Sequence, residues 1–157
     1  MTLDGVPDGV FGGQMASLFE SAPRVIARLT AERPFGSWEA LFATADRIAH
    51  DMPEDEQVEL VNAHPRLGAP PASVSEHSFR EQGYDRDTTA AIAELERLNA
   101  IYEDRFGFRY CVFVAGRPLE SLVPELEAAL AQPRDHELQR GVDAVVDIAV
   151  ARSGAAR

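Results

Sequence analysis

The sequence predicts an all-α fold, a single-domain bundle of about seven to nine helices with one short extended apolar strip. Apolar residues recur at three- and four-residue steps through most of the chain, and Gly and Pro punctuate those runs where helices should end. A lone β-like run, "FRYCVFV" at residues 108–114, has no second comparable run to pair with. At 157 residues the chain can bury a core without disulfides or a structural metal.

Each element can be justified in order. Residues 1–10 form a lead, residues 11–153 the domain and residues 154–157 a tail. Met15, Leu18 and Phe19, then Val25, Ile26 and Leu29, mark two short helices either side of "SAP", with Pro23 suited to a first helical turn. Ser37 caps a helix whose inner face is Trp38, Leu41, Phe42, Ala45, Ile48 and Ala49. Pro53 opens the next. Its first turn, "PEDE", suits the positive end of a helix dipole, and Val58 and Val61 face inward. The residue before a proline is pushed out of the right-handed helical region, so His64, followed by Pro65, marks the exit into a loop.

That loop, "PRLGAPPASVSEH", leads to a short helical stretch near "SEHSFREQ", ended by Gly83, on which Ser78, Glu81 and Gln82 share a face. A long helix over 87–106 carries Ile92, Leu95, Asn99, Tyr102 and Phe106, and Gly107 closes it. After the strip, Leu122, Leu126, Ala129 and Leu130 outline a helix with Pro124 in its first turn, and "AQPRD" breaks it. In the last helix Leu138, Val142, Val145 and Ala149 form an inward stripe whose next member is Arg152. A guanidinium so aimed needs an anion, from the protein or from a ligand. On spacing alone, the commoner outcome is an exposed arginine at the negative end of its own helix.

Composition excludes several function classes. With 15 Lys+Arg against 26 Asp+Glu, the net charge of -11 repels phosphate backbones and anionic membranes, so neither nucleic acid nor membrane is expected as a partner. A single cysteine, Cys111, allows neither a disulfide framework nor a cysteine zinc site, and it reads as a buried hydrophobe. The amino terminus has no basic-then-apolar pattern, and no run reaches the roughly 18 apolar residues of a spanning helix. The expectation is a soluble, cytoplasmic protein.

Motifs for phosphate loops, nucleophile elbows and paired cysteines are missing. His77 and Glu81, four apart, are the nearest approach to a metal pair, and they have no third ligand, so no metal is expected. His50, His77 and His136 read as surface or capping residues. What remains is His64 at a helix exit, the Ser78, Glu81 and Gln82 face, and Arg152. A histidine moves protons near neutrality, the polar face suits an amide- or urea-like group, and arginine holds an anion. Together they describe a small polar pocket for a small-molecule substrate.

These residues also carry a resemblance. "NAHPRLG", "SFREQG", "LNAIYEDRFGFRYCVFVAG" and "HELQRGVDAVVDIAVARS", in that order, resemble the 2-oxo-4-hydroxy-4-carboxy-5-ureidoimidazoline (OHCU) decarboxylase family of urate degradation, from about Phe11 to Arg152. The resemblance implies an all-α, cofactor-independent carboxy-lyase that yields S-allantoin. It makes His64 the catalytic acid/base with Glu81 beside it. Ser78, Gln82 and Arg152 bind substrate, Pro65 fixes the histidine's loop, and backbone groups around Phe108, Tyr110 and Val112 line the pocket. The family is often dimeric, so a homodimer is an expectation. Two departures stand out: "SAPR" where many members have Ser-Pro-Trp, and "GYD" after Gln82. The second motivates an alternative, a relative acting on a different ureido or imidazoline acid. A non-catalytic helical binding module is the alternative from another class.

Overall fold

The computed structural model describes residues 3–68 and 89–155. Among them run seven α-helices: α1 (Asp8–Phe19), α2 (Pro23–Ala31), α3 (Trp38–Asp51), α4 (Glu54–Asn62), α5 (Thr89–Phe106), α6 (Val123–Ala129) and α7 (Arg134–Ser153). A 3₁₀ turn over Leu119–Leu122 leads into α6. No strand occurs among the described residues, and 109–114 belongs to neither helix nor strand. The all-α expectation holds. The short helical stretch expected near 75–82 lies outside the described residues.

Local chemistry sets the helix ends. Pro23 is the first residue of α2, where its missing N–H loses nothing. Ser37 accepts a hydrogen bond from the Ala40 N–H at 3.1 Å, capping α3. Pro53 and Pro133 precede α4 and α7, each followed by acidic residues in the first turn.

The central element is α7, which packs against α1, α3 and α4. Its stripe of Leu138, Val142, Val145 and Ala149 is at most 3% exposed. A neighbouring stripe of Glu137, Gly141, Ala144 and Ile148 is buried as well. At Gly141 a Cβ would stand 3.2 Å from Val61, so the glycine lets α4 approach closely. On α4, Val61 and Leu60 are buried, whereas Val58 is only partly so. Burial of a side chain the size of leucine or phenylalanine stabilises the fold by about 1.5–3 kcal/mol, and such residues come from every helix.

His50 joins three of these helices. Gln57 Nε2 donates to the Ala49 and His50 carbonyls at 2.9 and 3.0 Å, which turns its Oε1 toward Gln139 Nε2 at 3.2 Å. Gln139 Oε1 therefore faces His50 Nδ1 at 2.7 Å, and Asp143 Oδ1 faces Nε2 at 2.7 Å. Both ring nitrogens meet acceptors, an arrangement that favours the imidazolium, with Asp46 at 3.9 Å as a second counter-charge. Burial works against the charge, but Gln139, Asp143 and Asp46 outweigh it and raise the His50 pKa above 6.5. A raised folded pKa gives stability that is complete below 6.5 and lost as pH rises through the folded value. The loss should stay below about 1 kcal/mol, because much of the pair is solvated. Unfolding measured across that range should show it in the wild type and not in His50→Asn; an identical pH dependence would refute the assignment.

Candidate active site

The α4 helix ends at Asn62 and the chain turns out through Ala63 and His64, as Pro65 requires. Side chains from α5 and the strip pin this exit. The Arg109 N–H donates to Asn62 Oδ1 at 2.8 Å, and its guanidinium donates to the Asn62 and His64 carbonyls at 2.9 and 3.2 Å. Asn99 Nδ2 donates to the Leu67 carbonyl at 2.7 Å, and Arg66 pairs with Glu103 at 2.6 Å. Gly68, at φ +78°, lies against Leu95, where a Cβ would be both strained and crowded. The loop bearing His64 is thus held from both sides.

His64 is only 4% exposed, and among the described residues neither ring nitrogen has a hydrogen-bond partner. The Leu60 carbonyl acts on the ring without meeting hydrogen-bond geometry. Burial and, after it, the Arg152 charge lower the His64 pKa to about 4, against the opposing effects of Glu20 and the Leu60 carbonyl. The ring is therefore neutral at pH 7. A buried nitrogen left unpaired costs about 1–3 kcal/mol, which a hydrogen-bonding ligand would recover.

Arg152 lies inside, contrary to the outcome that spacing alone makes commoner: its side chain is 1% exposed. The anion it needs is Glu20, 2.8 Å away, at the end of α1. The same guanidinium donates to the Leu18 carbonyl at 3.2 Å and approaches that of Ser17 at 3.5 Å. It caps the carboxy terminus of α1, where orphan carbonyls carry partial negative charge, rather than serving its own helix. Glu20 and Ser21 both adopt left-handed φ values, 53° and 58°, at a cost of about 1–2 kcal/mol each for residues other than glycine. His64, Arg152 and Glu20, from three distant parts of the chain, form one electrostatic cluster.

Pro65 is half-buried beside His64, while Ser78, Glu81 and Gln82 lie outside the described residues. Phe108 and Tyr110 turn their rings inward against Tyr102, and Arg140 sits 4.6 Å over the Tyr110 ring. Burial, together with Glu125 and Glu137, pushes the Tyr110 hydroxyl up to about 12, against the pull of Arg140 and Arg117. Val112 lines a groove of about 610 Å³ with Tyr110, Phe113, Glu137 and Arg140, and neither His64 nor Arg152 borders it.

Residues 6–153 match the family described as OHCU decarboxylase. The chain belongs to the OHCU decarboxylase family. A 2-oxo-4-hydroxy-4-carboxy-5-ureidoimidazoline decarboxylase of Halalkalicoccus jeotgali is 29% identical over 145 residues, covering 90% of this chain and 82% of that protein. The uric acid degradation bifunctional protein PucL of Bacillus subtilis is 31% identical over 138 residues, 86% of this chain but 28% of the longer relative. A crystal structure of OHCU decarboxylase in the presence of (S)-allantoin superposes with TM-score 0.74 at 18% identity, covering 88% of this chain and 94% of that one. At that identity the likeness speaks for the fold alone.

The family pattern read from the sequence had no place for Glu20. Its contact with Arg152 spans 132 residues, and nothing in "LFESAP" announces a left-handed pair of non-glycine residues. The one available signal was the inward Arg152 itself, which required an anion somewhere.

Proposed function

We propose that this protein decarboxylates 2-oxo-4-hydroxy-4-carboxy-5-ureidoimidazoline to (S)-allantoin in urate degradation. The observation that carries the reading is His64, buried, neutral, without a hydrogen-bond partner among the described residues and within the field of Arg152, in a chain that matches the family over residues 6–153.

The substrate bears a hydroxyl and a carboxylate on one ring carbon, beside an imine carbon that carries the ureido group. As the bond to the carboxylate breaks, its electron pair forms a carbon–carbon double bond, and the imine nitrogen takes the displaced pair with a proton. Carbon dioxide leaves. His64 removes the hydroxyl proton, a carbonyl forms, and a proton is added to one face of the ureido-bearing carbon. The imine is its own electron sink, so the step asks for no cofactor. Arg152 holds the carboxylate side, and an anion seated there offsets the guanidinium and lifts the His64 pKa toward a useful range. In this reading Glu81 orients the ureido group, Ser78 and Gln82 hydrogen-bond it, Pro65 fixes the loop, and backbone groups around Phe108, Tyr110 and Val112 complete the pocket. Among the described residues no helix is long and apolar enough to cross a membrane. A cytoplasmic homodimer acting on a small molecule fits this role.

Fresh substrate, generated in the cuvette from urate by the upstream enzymes, tests the proposal. Purified protein is expected to speed the ultraviolet decay and leave the circular dichroism of (S)-allantoin. Unchanged decay with well-folded protein would rule the activity out.

A further inference from the structure

Glu20 poses a difficulty for a site of this kind. A carboxylate 2.8 Å from the guanidinium that is to receive the substrate's carboxylate competes with that substrate. Yet the chain keeps it there, with two consecutive non-glycine residues in left-handed conformation and with the Glu20 side chain only 16% exposed.

The reaction supplies a reason. Decarboxylation removes the negative charge that Arg152 holds, so every increment of attraction to the intact carboxylate favours the ground state over the transition state and slows the step. A buried guanidinium with no counter-charge would grip the carboxylate hardest when it should let go. We propose that Glu20 is a positioning residue acting through Arg152, orienting the guanidinium and offsetting its charge so that the site does not over-bind the substrate's carboxylate. This rests on the reading of Arg152 as the carboxylate's partner. The Ser17 and Leu18 carbonyls keep the fork oriented from the same side, so the carboxylate of Glu20 serves chiefly to tune charge.

The probes are a matched pair of inhibitors, hydantoin-5-acetate and its neutral amide, nearly the same in shape but different in charge, measured alongside turnover. Glu20→Gln, with nearly the same shape, should tighten the acetate relative to the amide by about tenfold while KM and kcat fall together. Glu20→Asp retracts the carboxylate by one methylene and should move the ratio the same way by about threefold. A merely structural Glu20 would weaken both inhibitors alike. An acetate-to-amide ratio that stays at the wild-type value, or moves toward the amide, in a variant of native circular dichroism overturns the proposal; should Glu20→Gln fail to fold, Glu20→Asp decides by the same criterion. Arg152→Gln separates the two readings. If it keeps the wild-type preference for the acetate, the role of Arg152 fails; if it abolishes that preference while the Glu20 variants leave the ratio unmoved, the role of Glu20 alone fails.

Discussion

Replacing His64 with alanine is expected to lower kcat/KM for the ureidoimidazoline by about 10²- to 10⁴-fold, the range that positioned proton transfer contributes. Stopped-flow decay of fresh substrate measures it. Near-normal turnover would remove His64 from the chemistry. The pH dependence supplies a second check. With a folded pKa of about 4, the acid limb of kcat/KM should lie near that value rather than near 6.5. Stability depends on the same group. Above pH 6.5 the ring is neutral in both states. Between 6.5 and about 4 the unfolded chain takes a proton that the folded one refuses, so stability falls with falling pH by about 3 kcal/mol in all. Below that window both forms are protonated and the loss stops. His64→Asn should flatten this limb. His50 acts in the opposite sense and in a separate window above 6.5, so the two histidines can be told apart in one titration of stability.

How much of this was legible in the sequence depends on how local each cause is. The Ser37 cap, Pro23 in a first turn, and Pro53 and Pro133 ahead of α4 and α7 are decided within four residues, and reading them required only the chain itself. The stripe from Leu138 to Ala149, with Arg152 next in line, was legible because helical spacing is rigid over several turns. What that arginine meets was not. Its partner lies on α1, and the contact depends on a turn in which Glu20 and Ser21 take a conformation their residue types disfavour. The clamp on the His64 loop was hidden for a similar reason. Arg109 sits in an apolar run where an arginine reads as a solvent-facing interruption, and only the fold brings it onto the end of α4. His50 read as a surface residue, since the glutamine relay that fixes its charge runs across α3, α4 and α7.

Glu137 is the other place where a single change should be severe. Within "HELQR" it looks like an ordinary solvated helix residue, but it is 1% exposed, because Glu137, Gly141, Ala144 and Ile148 form a second buried stripe beside the first. Its carboxylate accepts from the Tyr102 hydroxyl at 2.9 Å and from Arg140 Nε at 3.0 Å. Burial and the Glu137 charge raise the Tyr102 pKa. Arg140 in turn donates to the Cys111 carbonyl at 2.8 Å, so the network ties the strip to α5 and α7. Glu137→Ala strands a guanidinium and a phenol together and should destabilise the fold by about 3–5 kcal/mol in urea unfolding at pH 7. A loss under about 1 kcal/mol would mean that water replaces the carboxylate. The asymmetry of buried charge offers a sharper test. Desolvating an ion pair offsets most of its attraction, whereas breaking one leaves the full penalty standing. The triple variant Glu137→Met, Arg140→Met, Tyr102→Phe removes the carboxylate, the guanidinium and the phenol at once, and it should therefore be more stable than Glu137→Ala alone.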